Sequence, residues 1–178
     1  MTKAKIKIIR GEDELGPQAT IAEGKELLKK HWDKEGIFCP CCRQLVKLYK
    51  RKLTSSMAYA LILIYRHHLD EGSFGAFFHV ENHLKMLAIP SSIRGDFPKL
   101  RYWDLLEQQK IDDAVRPGYY RITAKGIQFV KNMASVPRIS QLYNDGFYGH
   151  EGPEINIYTA LDDKFSYMEL MYDLVPKA

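Results

Sequence analysis

The chain's three cysteines all lie within Cys39-Pro40-Cys41-Cys42. Cys39 and Cys42 have the Cys-x-x-Cys spacing, and Pro40 tightens the turn between them. One half of a zinc knuckle or ribbon presents two thiolates to a metal in this way. A closed structural site takes four ligands, and the chain has no second Cys-x-x-Cys pair. Completion would draw on Cys41, on His31, on a histidine from elsewhere such as His67 or His68, or on a second chain. The same residues also read as a reduced, packed cysteine turn that holds no metal, and with less support as a redox pair. One structural zinc is therefore the cofactor expectation, with no other cofactor.

A basic run follows. Between Cys39 and Arg66 stand Arg43, Lys47, Lys50, Arg51, Lys52 and Arg66, with no acidic residue among them. Tyr49 sits inside the run, and a tyrosine beside clustered lysines and arginines suits phosphate contact. A solvated basic face is the plainer reading of the same residues. The far end has the opposite sign: Glu151, Glu154, Asp162, Asp163, Glu169 and Asp173 outweigh two lysines. The formal net charge is only +4, so the asymmetry carries more information than the total. His79 and His83 are four apart, but no glutamate directly follows His79, so the zinc-protease pattern fails. His67 and His68 fall in the last turn of an expected helix, where they suit the helix dipole better than a metal. A glycine-rich phosphate loop and a nucleophile elbow are both missing from the sequence, and an enzyme is not expected.

The elements that would position these residues read as follows. Residues 5–10 alternate as a strand, and 11–18 read as loop. Thr20 caps a helix over 21–34, with Glu23 at the capping-box spacing. Residues 44–53 fit a helix or a strand equally well. Thr54 opens a helix to about residue 70 that is apolar nearly all round and therefore central to a core. A short strand at 77–80 leads to a helix over 81–87. A third helix is expected from residue 95 or 96 to 108, burying Phe97, Leu100 and Trp103. Arg116-Pro117-Gly118 is turn chemistry, and 119–123 alternates as a strand. Thr123 caps a closing helix over 124–132. Beyond it, a strand at 136–143, a loop at 144–153, a strand at 154–158 and an acidic helix at 161–174 are expected.

The chain has 178 residues, 46% of them hydrophobic and 27% charged, enough for a buried core without disulfide staples. Its longest apolar run is too short to span a bilayer, and its first residues lack a signal-peptide core. A cytoplasmic protein without a membrane partner is expected.

Lys99-Leu100-Arg101-Tyr102-Trp103-Asp104-Leu105-Leu106-Glu107, followed by Gly118-Tyr119-Tyr120-Arg121-Ile122-Thr123-Ala124-Lys125-Gly126, resembles the helix-three-to-wing segment of winged-helix proteins. The layout, with a Cys-Pro-x-Cys turn before a basic segment, also looks like small phage or prophage proteins. The resemblance implies an α+β fold in three parts. Residues 1–53 form an extension with a helix and the cysteine turn, 54–132 a winged-helix domain, and 133–178 a hairpin and acidic helix. It also implies binding of nucleic acid, DNA first, as in a phage-encoded regulator. Arg94, Lys99, Arg101 and Tyr102 would serve the groove, Arg116 and Arg121 the backbone from the wing, and Arg43, Lys47, Lys50, Arg51 and Lys52 the wider electrostatic footprint. The alternative is a winged-helix module that binds a protein partner instead, and either reading leaves room for a homodimer.

Overall fold

A computed structural model describes residues 8–172 of the chain. The fold is α+β, with short sheets and helices of very unequal length. No helix among the described residues is long and apolar enough to cross a membrane. The chain divides into two compact units, Met1–Arg51 with Gln141–Gly149, and Lys52–Ser140 with His150–Ala178.

In the smaller unit, β1 (Ile9–Arg10) pairs in parallel with β2 (Ile37–Phe38), which pairs antiparallel with β3 (Leu45–Val46). Of the strand expected over 5–10, only this two-residue piece lies within the described residues. A short helix, α1 (Gly11–Glu14), replaces the expected loop. Gly11 permits this turn to press on the next segment, because a Cβ there would lie 2.6 Å from the Phe38 carbonyl oxygen. Helix α2 (Ile21–His31) begins on the expected capping box, with Glu23 N–H donating to Thr20 Oγ1 and Thr20 N–H donating to Glu23. It stops three residues earlier than expected and buries no residue fully. Trp32, just past its end, packs on Tyr143 and Tyr148 with ring centroids 5.9 and 4.9 Å away. Strand β4 (Tyr49–Lys52) completes residues 44–53, so the ambiguous stretch resolves into two short strands.

The larger unit is built around α3 (Ser55–Asp70), capped by Thr54 as expected. Met57, Ala58, Ala60, Leu61, Ile62, Leu63 and Ile64 are all buried, which is why the sequence is apolar all round. β5 (Phe78–His79) and α4 (Val80–Met86) follow, with the His79 ring capping the helix by accepting from Asn82 N–H.

The expected third helix is replaced by two pieces. α5 (Ser91–Arg94) is a single turn, and residues Phe97–Trp103 form a 3₁₀ helix. Phe97, Leu100 and Trp103 are buried as anticipated. Their spacing of three, however, is the period of a 3₁₀ helix and not that of an α-helix. The helix cannot run to residue 108, because Asp104 is left-handed at φ +60° and turns the chain out of it. Leu105 and Leu106 are buried from the turn and from a strand instead.

β6 (Leu106–Ile111) and β7 (Ala114–Ile122) make a long hairpin, and β5 pairs with β7, giving the order β5-β7-β6. The hairpin turn is Asp112-Asp113, both left-handed at φ +49° and +63°, and not Arg116-Pro117-Gly118. Paired positive φ values match the twist of the flanking strands. Arg116-Pro117-Gly118 lies within β7, where the register shifts between Gln108 and Lys110. A bulge tolerates a proline that has no N–H to give the ladder.

α6 (Ala124–Val130) starts on Thr123, whose hydroxyl accepts from Gly126 N–H at 2.9 Å and donates to the Asp104 carbonyl at 2.6 Å. β8 (Val136–Tyr143) has the expected bounds. The predicted loop after it shrinks to a two-residue turn at Asn144-Asp145, and β9 runs from Gly146 to Ile155. Gly149 and Gly152, which suggested a loop, carry positive φ inside this strand. β4, β8 and β9 form a sheet in that order. The strand expected over 154–158 ends at Ile155, since α7 (Ile157–Leu161) begins just after it, and the expected terminal helix over 161–174 is broken into a 3₁₀ turn (Asp162–Lys164) and α8 (Tyr167–Tyr172). Its last two residues, 173 and 174, lie outside the described residues.

Candidate nucleic-acid interface

Strand β4 is the most open basic element. All four of its residues, Tyr49, Lys50, Arg51 and Lys52, are exposed. Strand geometry sends Tyr49 and Arg51 to one face and Lys50 and Lys52 to the other. Leu53 anchors the end of the strand: its side chain is buried and its N–H donates to the Arg138 carbonyl at 2.9 Å. Neither Arg51 nor Lys52 has a carboxylate partner among the described residues. Arg43 and Lys47, from the same sequence run, pair with Glu12 at 3.0 Å and Glu35 at 3.6 Å. Exposed pairs of this kind contribute about 0–1 kcal/mol and exchange readily for another anion.

The residues expected to read a groove are arranged differently. Lys99 is bound to Asp96. Arg101 donates to the Tyr102 hydroxyl at 2.8 Å and lies over that ring, so neither side chain projects as a free reader. Arg94 lies 3.7 Å from Glu81, which Lys85 also holds at 3.0 Å. The Lys85 contact keeps the Glu81 carboxyl below the usual carboxylate range. On the hairpin, Arg121 donates twice to one Glu107 oxygen, at 2.9 and 2.7 Å, and covers the Phe77 ring. Arg116 stacks 3.4 Å from the Tyr119 ring centroid and donates to Gln109 at 3.1 Å. The hairpin tip is apolar and acidic, because Ile111 and Val115 stand half exposed around Asp112 and Asp113. Of the eleven candidate contact residues, the structure thus leaves the β4 group presented outward and commits most of the others internally.

The cysteine turn joins β2 to β3. Cys39 N–H donates to the Gln44 carbonyl at 2.8 Å and Arg43 N–H to the Cys39 carbonyl at 2.9 Å. Arg43 is left-handed at φ +59°, which closes the loop. The backbone N–H groups of Cys42 and Cys41 point at the Cys39 sulfur, and the Cys42 contact is the main reason its thiol is shifted below the ordinary value. Cys41 and Cys42 are exposed and all three thiols are free. Among the described residues, no three His, Cys, Asp or Glu side chains are grouped so as to hold a metal. Among the described residues, Cys41 and His31 are not gathered with Cys39 and Cys42 into such a group.

His67 and His68, offered as remote ligands, have other roles. His68 is buried; its Nε2 accepts from Ile122 N–H at 3.3 Å, and its Nδ1–H then donates to the Ser73 carbonyl at 2.9 Å. Both ring nitrogens are used, so the ring is fixed as the neutral tautomer protonated on Nδ1. Sequence reasoning missed this buried polar link between α3 and β7, because nothing local marks it. His67 stacks between Phe78 and His83, with centroids 4.0 and 4.2 Å away. Burial lowers His68, and burial followed by the neighbouring His67 lowers His83 to about 4, while Asp70 and Glu71 oppose the shift.

A folded-state pKa below the unfolded value near 6.5 means that the unfolded chain takes up the proton first. Stability should therefore be flat above about pH 6.5 and fall between about pH 6.5 and 4. His83 contributes about 2 kcal/mol of this, below the full value of the shift because water reaches part of the ring. Urea titrations at pH 7.5 and 4.5 test it. His83→Phe should flatten the loss, and an unchanged loss would remove His83 from the account.

No family model, curated protein or solved structure matches the chain.

Proposed function

We propose that the chain binds nucleic acid, DNA first, through the exposed basic strand β4. The observation that carries this reading is β4 itself, four consecutive exposed residues, Tyr-Lys-Arg-Lys, with no carboxylate set against Arg51 or Lys52 among the described residues. Its support from the fold is the order α3, β5, α4, α5 with its 3₁₀ continuation, β6, β7, α6, and the sheet order β5-β7-β6, which suits the winged-helix arrangement. The 3₁₀ segment serves as a packing element in this reading, and phosphate contact replaces groove readout as the main term.

Fluorescence anisotropy of a labelled duplex over a salt series tests it. Affinity should fall linearly on a log–log salt plot, because neutralised phosphates release counterions. The combined variant Lys50→Ala, Arg51→Ala, Lys52→Ala should reduce the slope by roughly 3 and weaken binding at low salt about 10- to 100-fold. Lys99→Ala should change both little. Undiminished binding by the triple variant would end the proposal.

A second reading is favoured by the hairpin tip. Half-exposed Ile111 and Val115 flanking two aspartates repel phosphate and suit a protein partner. On that reading the wild-type chain shows no salt-dependent affinity for the duplex at 50 mM salt, a condition at which basic clusters ordinarily hold DNA.

A further inference from the structure

The turn between β2 and β3 is built like a ligand and not like a filler. Its backbone bonds close a six-residue loop from Cys39 to Gln44, and a left-handed Arg43 lets the chain return. Cys39 and Cys42 both belong to this closed loop, three residues apart. Cys42 lies at the exposed end of the same turn. Two sulfurs held this way are half of a tetrahedral thiolate site. The other half is not available from this chain's cysteines, since there are three in all and no group of three potential ligands exists among the described residues.

We propose that Cys39 and Cys42 bind one zinc ion together with the same two cysteines of a second copy of this chain. A two-fold axis through the metal would supply four thiolates from two identical turns, the isologous arrangement expected of a homodimer. Four thiols lose their protons as the ion binds, and no oxidant or reductant takes part. A neighbouring surface fits the same occupant. A groove of about 540 Å³ runs beside the turn, lined by Leu15, Pro17, Ile21, Leu28, Pro40 and Cys41. Ile21 is 76% exposed at its edge. A second copy joined at the metal would cover this apolar strip. Cys41 lines the groove and needs no place in the metal shell.

The test is zinc content and molar mass of the full chain, purified with a phosphine reductant present throughout so that disulfides cannot form. The expected result is about one zinc per two chains and a dimer by light scattering. A strong chelator should return the protein to monomer, and added Zn²⁺ should restore the dimer. Co²⁺ in its place should give the visible bands of a tetrahedral thiolate site. Cys39→Ser and Cys42→Ser should each lose at least about nine-tenths of the metal and the dimer together. Gln44→Ala, in the same turn but outside the groove, should keep both, which separates loss of a ligand from damage to the turn. One zinc per monomeric chain, a dimer that survives chelation, a metal-free chain after Zn²⁺ addition, or loss of metal in Gln44→Ala to the same degree would each overturn the proposal.

Discussion

Gly126→Ala should lower the stability of the larger unit by about 3 kcal/mol or more, among the largest effects expected of a single methyl group. A Cβ at this position would lie 2.2 Å from the Leu105 carbonyl oxygen and 2.8 Å from an Ile122 side-chain carbon. The first obstacle is backbone and cannot rotate away. Nor can the Leu105 carbonyl retreat cheaply, since it accepts from Thr123 N–H at 3.2 Å. Thr123 in turn fixes both sides of the contact through its hydroxyl, bonded to Gly126 N–H and to the Asp104 carbonyl. The ordinary gain in helix propensity from glycine to alanine, about 1 kcal/mol, runs the other way and is outweighed. Urea unfolding followed by far-ultraviolet circular dichroism measures the difference. Gln128→Ala, on the exposed side of the same helix, should stay within about 0.5 kcal/mol of the parent. A Gly126→Ala midpoint that matched the Gln128→Ala midpoint would show that the helix does not approach so closely.

Trp103→Ala should cost about 3–5 kcal/mol. The ring is fully buried, and its Nε1–H donates to the Pro137 carbonyl at 2.6 Å. Proline has no N–H, so at Pro137 the carbonyl is the residue's one main-chain hydrogen-bonding group. Trp103→Phe separates packing from hydrogen bonding. It restores much of the volume but leaves the carbonyl without this donor, for an expected loss of about 1–3 kcal/mol. Thermal unfolding by circular dichroism should rank the parent above Phe and Phe above Ala. Equal losses for the two variants would assign the whole effect to the hydrogen bond.

Legibility in the sequence followed the range of the interaction concerned. Thr20 with Glu23, Thr54, and Thr123 with Gly126 act across three residues, and each was read correctly as a helix start. The all-round apolar character of α3 was equally plain, because it needs no partner to be recognised. The stripe Phe97, Leu100, Trp103 marks buried positions in the sequence alone, but its spacing of three fits the 3₁₀ period better than the expected α-helix. The first hairpin turn lies at Asp112-Asp113 and not at the expected Pro–Gly stretch, and the second occupies only the start of the expected loop, because Pro and Gly are stronger local signals than Asp and Asn. Asp112-Asp113 and Asn144-Asp145 nonetheless adopt the left-handed pair that a tight hairpin requires, and the Pro–Gly stretch is absorbed by a bulge. Among the candidate site residues, the basic run at Lys50, Arg51 and Lys52 is plain in the sequence, but its strand form is not, because its spacing fits a helix equally well. The pairing of Arg121 with Glu107 is not legible either, because it depends on strand register across 14 residues.

The two tryptophans of the chain fall one to each compact unit. Trp103 is sealed from water and hydrogen-bonded, while Trp32 is partly open and lies against two tyrosines. Nature has therefore placed a separate optical probe in each. Trp103 should emit to the blue and resist a soluble quencher, whereas Trp32 should emit to the red, be quenched readily and receive excitation energy from Tyr143 and Tyr148. A nucleic acid or a metal that engages the cysteine-turn unit would then be seen in the red component alone, with no label attached.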